Sequence, residues 1–135
     1  MKKVILILVA VIGFGISANA GPGETCKIKG ATDGSSVEIT SCYLGSGKDE
    51  GKVIVIVDND SRKIPANVKI GVTVTYENSS KVKKTYDYTG KGRAVANQST
   101  RIEIPIKKTH PESTSHNSYN ASSVKATSIT GNKCE

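Results

Sequence analysis

Val68-Lys69-Ile70-Gly71-Val72-Thr73-Val74-Thr75-Tyr76-Glu77 alternates apolar and polar side chains without a break. In an extended chain successive side chains point to opposite faces. Val68, Ile70, Val72, Val74 and Tyr76 therefore share one face, and Lys69, Thr73, Thr75 and Glu77 the other. A helix would scatter the same residues around its circumference. The stretch predicts a long strand with one buried and one solvated face, which is the pattern of an antiparallel sheet.

Working outward, Asn78-Ser79-Ser80 reads as a turn into Val82–Tyr88, where Tyr86 and Tyr88 share a face. Gly90-Lys91-Gly92 is expected to end that strand. Upstream, Val53-Ile54-Val55-Ile56-Val57 is apolar on both faces, as a central strand requires, and Asp58-Asn59-Asp60-Ser61 turns the chain after it. Two shorter runs, Thr25–Lys29 and Val37–Tyr43, flank an Asp33-Gly34 turn signal, and Gly45–Gly51 is a polar loop. Downstream, Ile102, Ile104 and Ile106 alternate with polar residues and with Pro105, which marks an edge or a strand end because it has no N–H to donate. A last strand is expected near Ser123–Thr130. Helical periodicity is almost absent. The expected fold is all-β: an antiparallel immunoglobulin-like sandwich of about seven strands, with a small barrel as the alternative.

Val53 to Ile106 also resembles bacterial immunoglobulin-like modules of the CARDB or FxLYD kind. The likeness lies in a Val-rich strand, an Asn/Asp turn, the long alternating strand, and a later strand led by Ser99-Thr100 and running Arg101-Ile102-Glu103-Ile104. The resemblance implies a sandwich and carries no site residue across. The paired cysteines and core tryptophan of antibody domains are absent, which excludes that branch.

The N-terminus predicts export. Lys2 and Lys3 precede the apolar run Val4–Ile16, and Ala18-Asn19-Ala20 supplies the small-x-small pattern that signal peptidase accepts. Spanning a bilayer takes about 20 apolar residues, more than this run provides. Residues 1–20 are therefore read as a cleaved signal peptide of bacterial type, and 21–135 as a single domain with no membrane span. The formal charge of +7 comes from 19 basic and 12 acidic side chains; losing Lys2 and Lys3 leaves 17 against 12, about +5. The only Phe, Phe14, leaves with the signal, so the mature core is built from Val, Ile and five Tyr.

Cys26, Cys42 and Cys134 remain, destined for a secreted, periplasmic or cell-surface location where disulfides persist. One disulfide and one remaining thiol is the simplest outcome. A two-residue turn at Asp33-Gly34 would set Ile28 opposite Ile39, with Cys42 pointing to the other side from Cys26. That register disfavours a Cys26–Cys42 bond and favours Cys134 joined to either Cys26 or Cys42. Closing a loop of about 100 residues is worth roughly 4–5 kcal/mol on the chain-entropy model.

Residues with chemistry are sparse. Thr109–Ser123 is rich in Ser, Thr and Asn and contains His110, Glu112, His116 and Tyr119, which are read together as a ligand-binding loop. No Gly-x-Ser-x-Gly elbow accompanies its serines, so a catalytic set is not expected. Asp58-x-Asp60 lacks the remaining ligands of an EF-hand and reads as a turn. The cysteines lack metal-ligand spacing, and no metal or other cofactor is expected. Lys81, Lys83, Lys84, Lys91, Arg93, Lys107 and Lys108 crowd the second half, but Glu77, Asp87 and Glu103 are interspersed among them. These read as a solvated sheet face, without a nucleic-acid motif. The function expected is a non-enzymatic secreted or envelope binding module for an extracellular protein or glycan. The alternative is a small secreted effector, an antibacterial toxin or enzyme inhibitor; a hydrolase is disfavoured.

Overall fold

Each alternating run becomes a strand because only the extended chain puts its apolar residues on one side. The computed structural model describes residues 23–131, 133 and 134, so the expected signal peptide at 1–20 lies outside the described residues. Among them the strands are β1 (Thr25–Lys27), β2 (Ser36–Leu44), β3 (Lys52–Asn59), β4 (Ala66–Glu77), β5 (Lys83–Ala94), β6 (Gln98–Pro105) and β7 (Asn120–Gly131). They form two antiparallel sheets, ordered β1-β2-β3-β6 and β5-β4-β7. The hairpins β2–β3 and β4–β5 each stay within a sheet. The chain crosses between sheets after β3, β5 and β6. This is a seven-stranded β-sandwich.

Val37, Ile39, Val53, Val55, Val57, Ile102 and Ile104 of the first sheet face Val68, Ile70, Val72, Val74, Ala126 and Ile129 of the second, all buried in one core. Fully burying such a side chain contributes about 1.5–3 kcal/mol. β3 sits between two neighbours and is buried on both faces, as its sequence predicts. Ile54, on the outward face, is 0% exposed. Across the same face run the ion pairs Lys52–Glu103 (2.9 Å), Arg101–Glu103 (3.0 Å) and Arg101–Asp49 (2.9 Å), the last from a 3-10 turn at Gly47–Asp49. Pro105 closes β6, which is an edge strand, satisfying both readings of that proline.

The crossing from β3 to β4 is fixed by a buried asparagine. Asn59 Nδ2 donates to the carbonyls of Ile64 (3.0 Å) and Ala94 (3.1 Å), and its Oδ1 accepts the Ser61 N–H (2.9 Å). The next residue, Asp60, accepts the Ser36 N–H at 2.7 Å. Asp60 is thus spent on a backbone group, and Asp58 accepts from the Ser99 hydroxyl at 3.4 Å.

The fold departs from the sequence reading in three places. First, β5 does not end at Gly90 but continues through Gly92 to Ala94. Tyr86, Tyr88, Gly90 and Gly92 all face inward, and the glycines are where β6 approaches. A Cβ on Gly90 would meet the Ile104 side chain, and one on Gly92 would lie 2.6 Å from Ile102 Cγ1. Second, Cys26 pairs with Val37 and the chain leaves β1 in a wide loop, so Ile28 does not oppose Ile39. Ile28 instead bridges to Cys134, which draws the first strand toward the C-terminal tail. The difference from the expected register is an even number of residues, so the same side chains still face inward. Third, a bulge at Thr40 inserts one unpaired residue between Ile39 and Ser41. It reverses the alternation, so Cys42 packs against the core side rather than pointing away.

Cys26 and Cys134 form the disulfide, with Cα atoms 5.2 Å apart, and Cys42 is the free thiol. Burial pushes the Cys42 thiol up to about 11.

Candidate functional site

The crossover from β6 to β7 covers the end of the sandwich beside β5, and it is ordered from beneath. His110 and Tyr119 are each only 7% exposed. The His110 N–H donates to the Tyr119 carbonyl (3.0 Å), and Thr109 bridges to Asn120. The loop tip folds on itself through paired backbone bonds between Thr114 and Asn117. Asn117 accepts from Asn78 Nδ2 at 2.9 Å, which ties the tip to the β4–β5 turn.

Beneath the loop lie four of the five tyrosines. His110 stacks edge-on against Tyr76 (5.5 Å), Tyr86 (6.0 Å) and Tyr119 (6.3 Å), and Tyr86 lies 5.0 Å from Tyr88. Such geometries are worth about 0.5–1.5 kcal/mol per pair beyond burial. The backbone N–H of Glu112 donates to His110 Nδ1 (3.0 Å). Nδ1 must then be the acceptor, and the neutral ring carries its proton on Nε2, which reaches the Thr85 carbonyl at 3.2 Å. Both nitrogens are engaged with the backbone, which leaves His110 no lone pair for a substrate proton.

The tyrosine hydroxyls close a directed ring. Tyr76 donates to the Lys107 carbonyl (2.7 Å), so at the 2.6 Å contact Tyr88 is the donor to Tyr76; Tyr88 in turn accepts the Lys107 N–H (3.3 Å). Each hydroxyl gives one bond and takes one, an arrangement in which successive bonds polarise each other. The ring joins β4 and β5 to the residues just past β6, across the two sheets. Burial and the adjoining Tyr88 hydroxyl hold Tyr76 well above the ordinary phenol range. Tyr76→Phe is expected to cost about 1–3 kcal/mol, because the Lys107 carbonyl and Tyr88 hydroxyl lose their partner. Tyr88→Phe should cost less, since the Lys107 N–H can turn to water. Urea titration of both variants checks the order; the reverse order would remove Tyr76 as the hub.

The four residues singled out in the sequence therefore separate. His110 and Tyr119 are anchors. Glu112 is exposed and pairs with Lys84 (3.0 Å), a hydrogen bond that holds its carboxyl below the usual range. Lys84 also lies 5.4 Å from the Tyr119 ring centroid, within cation–π distance. His116 is exposed at the loop tip. The residues not anticipated are Lys84 and Tyr86, the latter 44% exposed beside the loop. Their shared inward face with Tyr88 was readable, but the loop that meets them comes from the distant β6–β7 crossover. Among the described residues, no three His, Cys, Asp or Glu side chains gather to hold a metal ion. No helix among them is long and apolar enough to cross a membrane. No family model matches this chain, nor does any curated protein or solved structure.

Proposed function

We propose that this chain is an exported, non-enzymatic binding module, and that its ligand, an extracellular protein or glycan, meets the exposed side of the β6–β7 loop. The observation that carries the reading is the anchoring of that loop from below. Buried His110 and Tyr119 fix its backbone, while Glu112, His116 and Asn117 stand exposed on it and half-exposed Tyr86 lies against His110. A surface ordered before contact loses less conformational entropy on binding. Export is supported by the N-terminal signal pattern and by the Cys26–Cys134 disulfide, which belongs to oxidising compartments. The immunoglobulin-like assignment is supported by neighbour relations. With β2, β3 and β6 set against strands A, B and E, and β5, β4 and β7 against C′, C and F, the neighbour relations of those six strands agree; strands D and G have no counterpart among the described residues, and β1 is an added edge.

The test is a pull-down from envelope and extracellular extracts with the mature chain and with a variant whose residues 111–118 are replaced by a Gly-Ser linker. The wild type is expected to capture a component that the variant loses, with the circular dichroism unchanged. Equal capture by both would overturn the assignment of the loop. Turnover abolished by a single His or Ser substitution would overturn the non-enzymatic reading.

A further inference from the structure

At the end of the sandwich away from the tyrosines, five cations come together that are scattered in sequence. Lys63 and Arg93, with Asn67 and Lys133, line an open cleft of about 430 Å³. Asn67 is shared with a second cleft of about 450 Å³, lined by Lys69 and Lys91. Among the described residues no acidic side chain lines either cleft, and none of the five cations is in an ion pair. The contrast with the other end is sharp, since Lys84 and Lys108 there are paired with Glu112 and Glu50.

The cluster works against folding. Lys69 and Lys91 are direct partners in the β4–β5 ladder, and Arg93 faces Asn67 one pleat further along. Like charges directly opposite on a sheet repel, at Cβ separations of about 5 Å. Lys91 and Arg93 follow each other on one face of β5 about 6.8 Å apart. An anionic ligand would relieve this repulsion at every position at once.

We infer that these two clefts form a second binding site, independent of the β6–β7 loop, for a linear polyanionic glycan whose carboxylate or sulfate groups pair with Lys63, Lys69, Lys91, Arg93 and Lys133. Shape and composition select this partner. The cations follow one another along two shallow, adjoining clefts that share Asn67, a path that a linear acidic chain can track. Neither cleft contains an aromatic side chain on which a nucleic-acid base would stack. Asn67, where the clefts meet, offers hydrogen bonds to sugar hydroxyls between the charged groups.

Heparin serves as the probe, titrated calorimetrically into the mature chain at several salt concentrations, with neutral dextran alongside. Heparin is expected to bind with an affinity that falls as salt rises, and dextran not to bind. Lys91→Glu/Arg93→Glu should weaken heparin binding by at least about tenfold while the melting temperature holds or rises, because the Lys69–Lys91 repulsion is removed. Lys48→Glu/Lys81→Glu, the same charge change at the other end, should weaken it by no more than about twofold. The Gly-Ser loop variant should bind heparin like the wild type, so failure of the loop assignment leaves this one standing. Equal losses in the two charge-reversal variants would reduce the site to net charge and overturn it. A single-stranded oligonucleotide, or phosphatidylglycerol vesicles, binding as tightly as heparin would overturn the choice of a glycan.

Discussion

Replacing Cys134 with serine is expected to remove about 4 kcal/mol of stability, a large share of what a domain of this size holds. The bond joins residues 108 apart in sequence, so all seven strands of the described residues lie inside the loop it closes or at its ends. On the chain-entropy model a loop near 100 residues is worth about 4.7 kcal/mol, and measured values commonly fall somewhat below that. Local structure goes with it. Ile28 bridges to Cys134 and Lys29 donates to the Lys133 carbonyl, so β1 and the tail hold each other through the same few residues. Cys26→Ser should match Cys134→Ser, and dithiothreitol should reproduce both. Cys42→Ala should cost much less. Without reductant, the unfolded chain should show one titratable thiol, and the folded chain should react slowly, because burial pushes the Cys42 thiol up to about 11 and leaves little thiolate at neutral pH. Three thiols in the unfolded chain, or equal urea midpoints for oxidised and reduced protein, would sink the staple.

The strands were legible because their signal is local. Val68 to Tyr76 can bury its apolar side chains only by extending, whatever lies around it. The disulfide was half legible: the expected register disfavoured Cys26–Cys42 and favoured Cys134 with either of two partners. That register was itself displaced by an even number of residues, which keeps faces while changing partners. The bulge at Thr40 left no signal, since one inserted residue in a run of Val, Ile, Thr, Ser and Cys has no composition of its own. His110 and Tyr119 were legible as exceptions to their surroundings. They stand out in a polar stretch because they are its only buried side chains. The basic end was invisible for a different reason. Lys63, Lys69, Lys91, Arg93 and Lys133 come from a turn, two strands and the tail, and only the sandwich brings them together. The lysines that did crowd in sequence divide between opposite ends of the molecule.

Adding a single methyl group to Gly90 and to Gly92 is expected to destabilise the sandwich by about 3 kcal/mol for the pair, although alanine is the better strand residue. Glycine in a strand interior ordinarily costs about 0.5–1 kcal/mol relative to alanine, so an unconstrained site would gain from the change. Here the inward face of β5 has no room. The new Cβ on Gly90 would collide with the Ile104 side chain, and that on Gly92 would sit 2.6 Å from Ile102 Cγ1 and 2.7 Å from Cδ1. Overpacking of this kind costs about 1–3 kcal/mol per site, which outweighs the gain. Both isoleucines are buried, Ile104 completely, so neither can swing into solvent. Lys91 lies between the glycines but faces outward, and Lys91→Ala should change stability by less than about 0.5 kcal/mol. A double-mutant cycle isolates the contact. Ile104→Ala alone should cost about 2–5 kcal/mol, but in the Gly90→Ala background the added methyl fills part of the cavity, giving a favourable coupling of about 1 kcal/mol or more. Absence of coupling, or a Gly90→Ala/Gly92→Ala variant as stable as wild type, would mean that β5 and β6 do not close against each other. The consequence would extend past the core. The same approach of β6 to β5 sets where the chain leaves Pro105, and so where Lys107 meets the two tyrosine hydroxyls and where His110 enters beneath its loop. If the glycine contact is real, the double variant should also loosen that loop, and proteolysis within residues 111–118 should accelerate before the sheets themselves unfold.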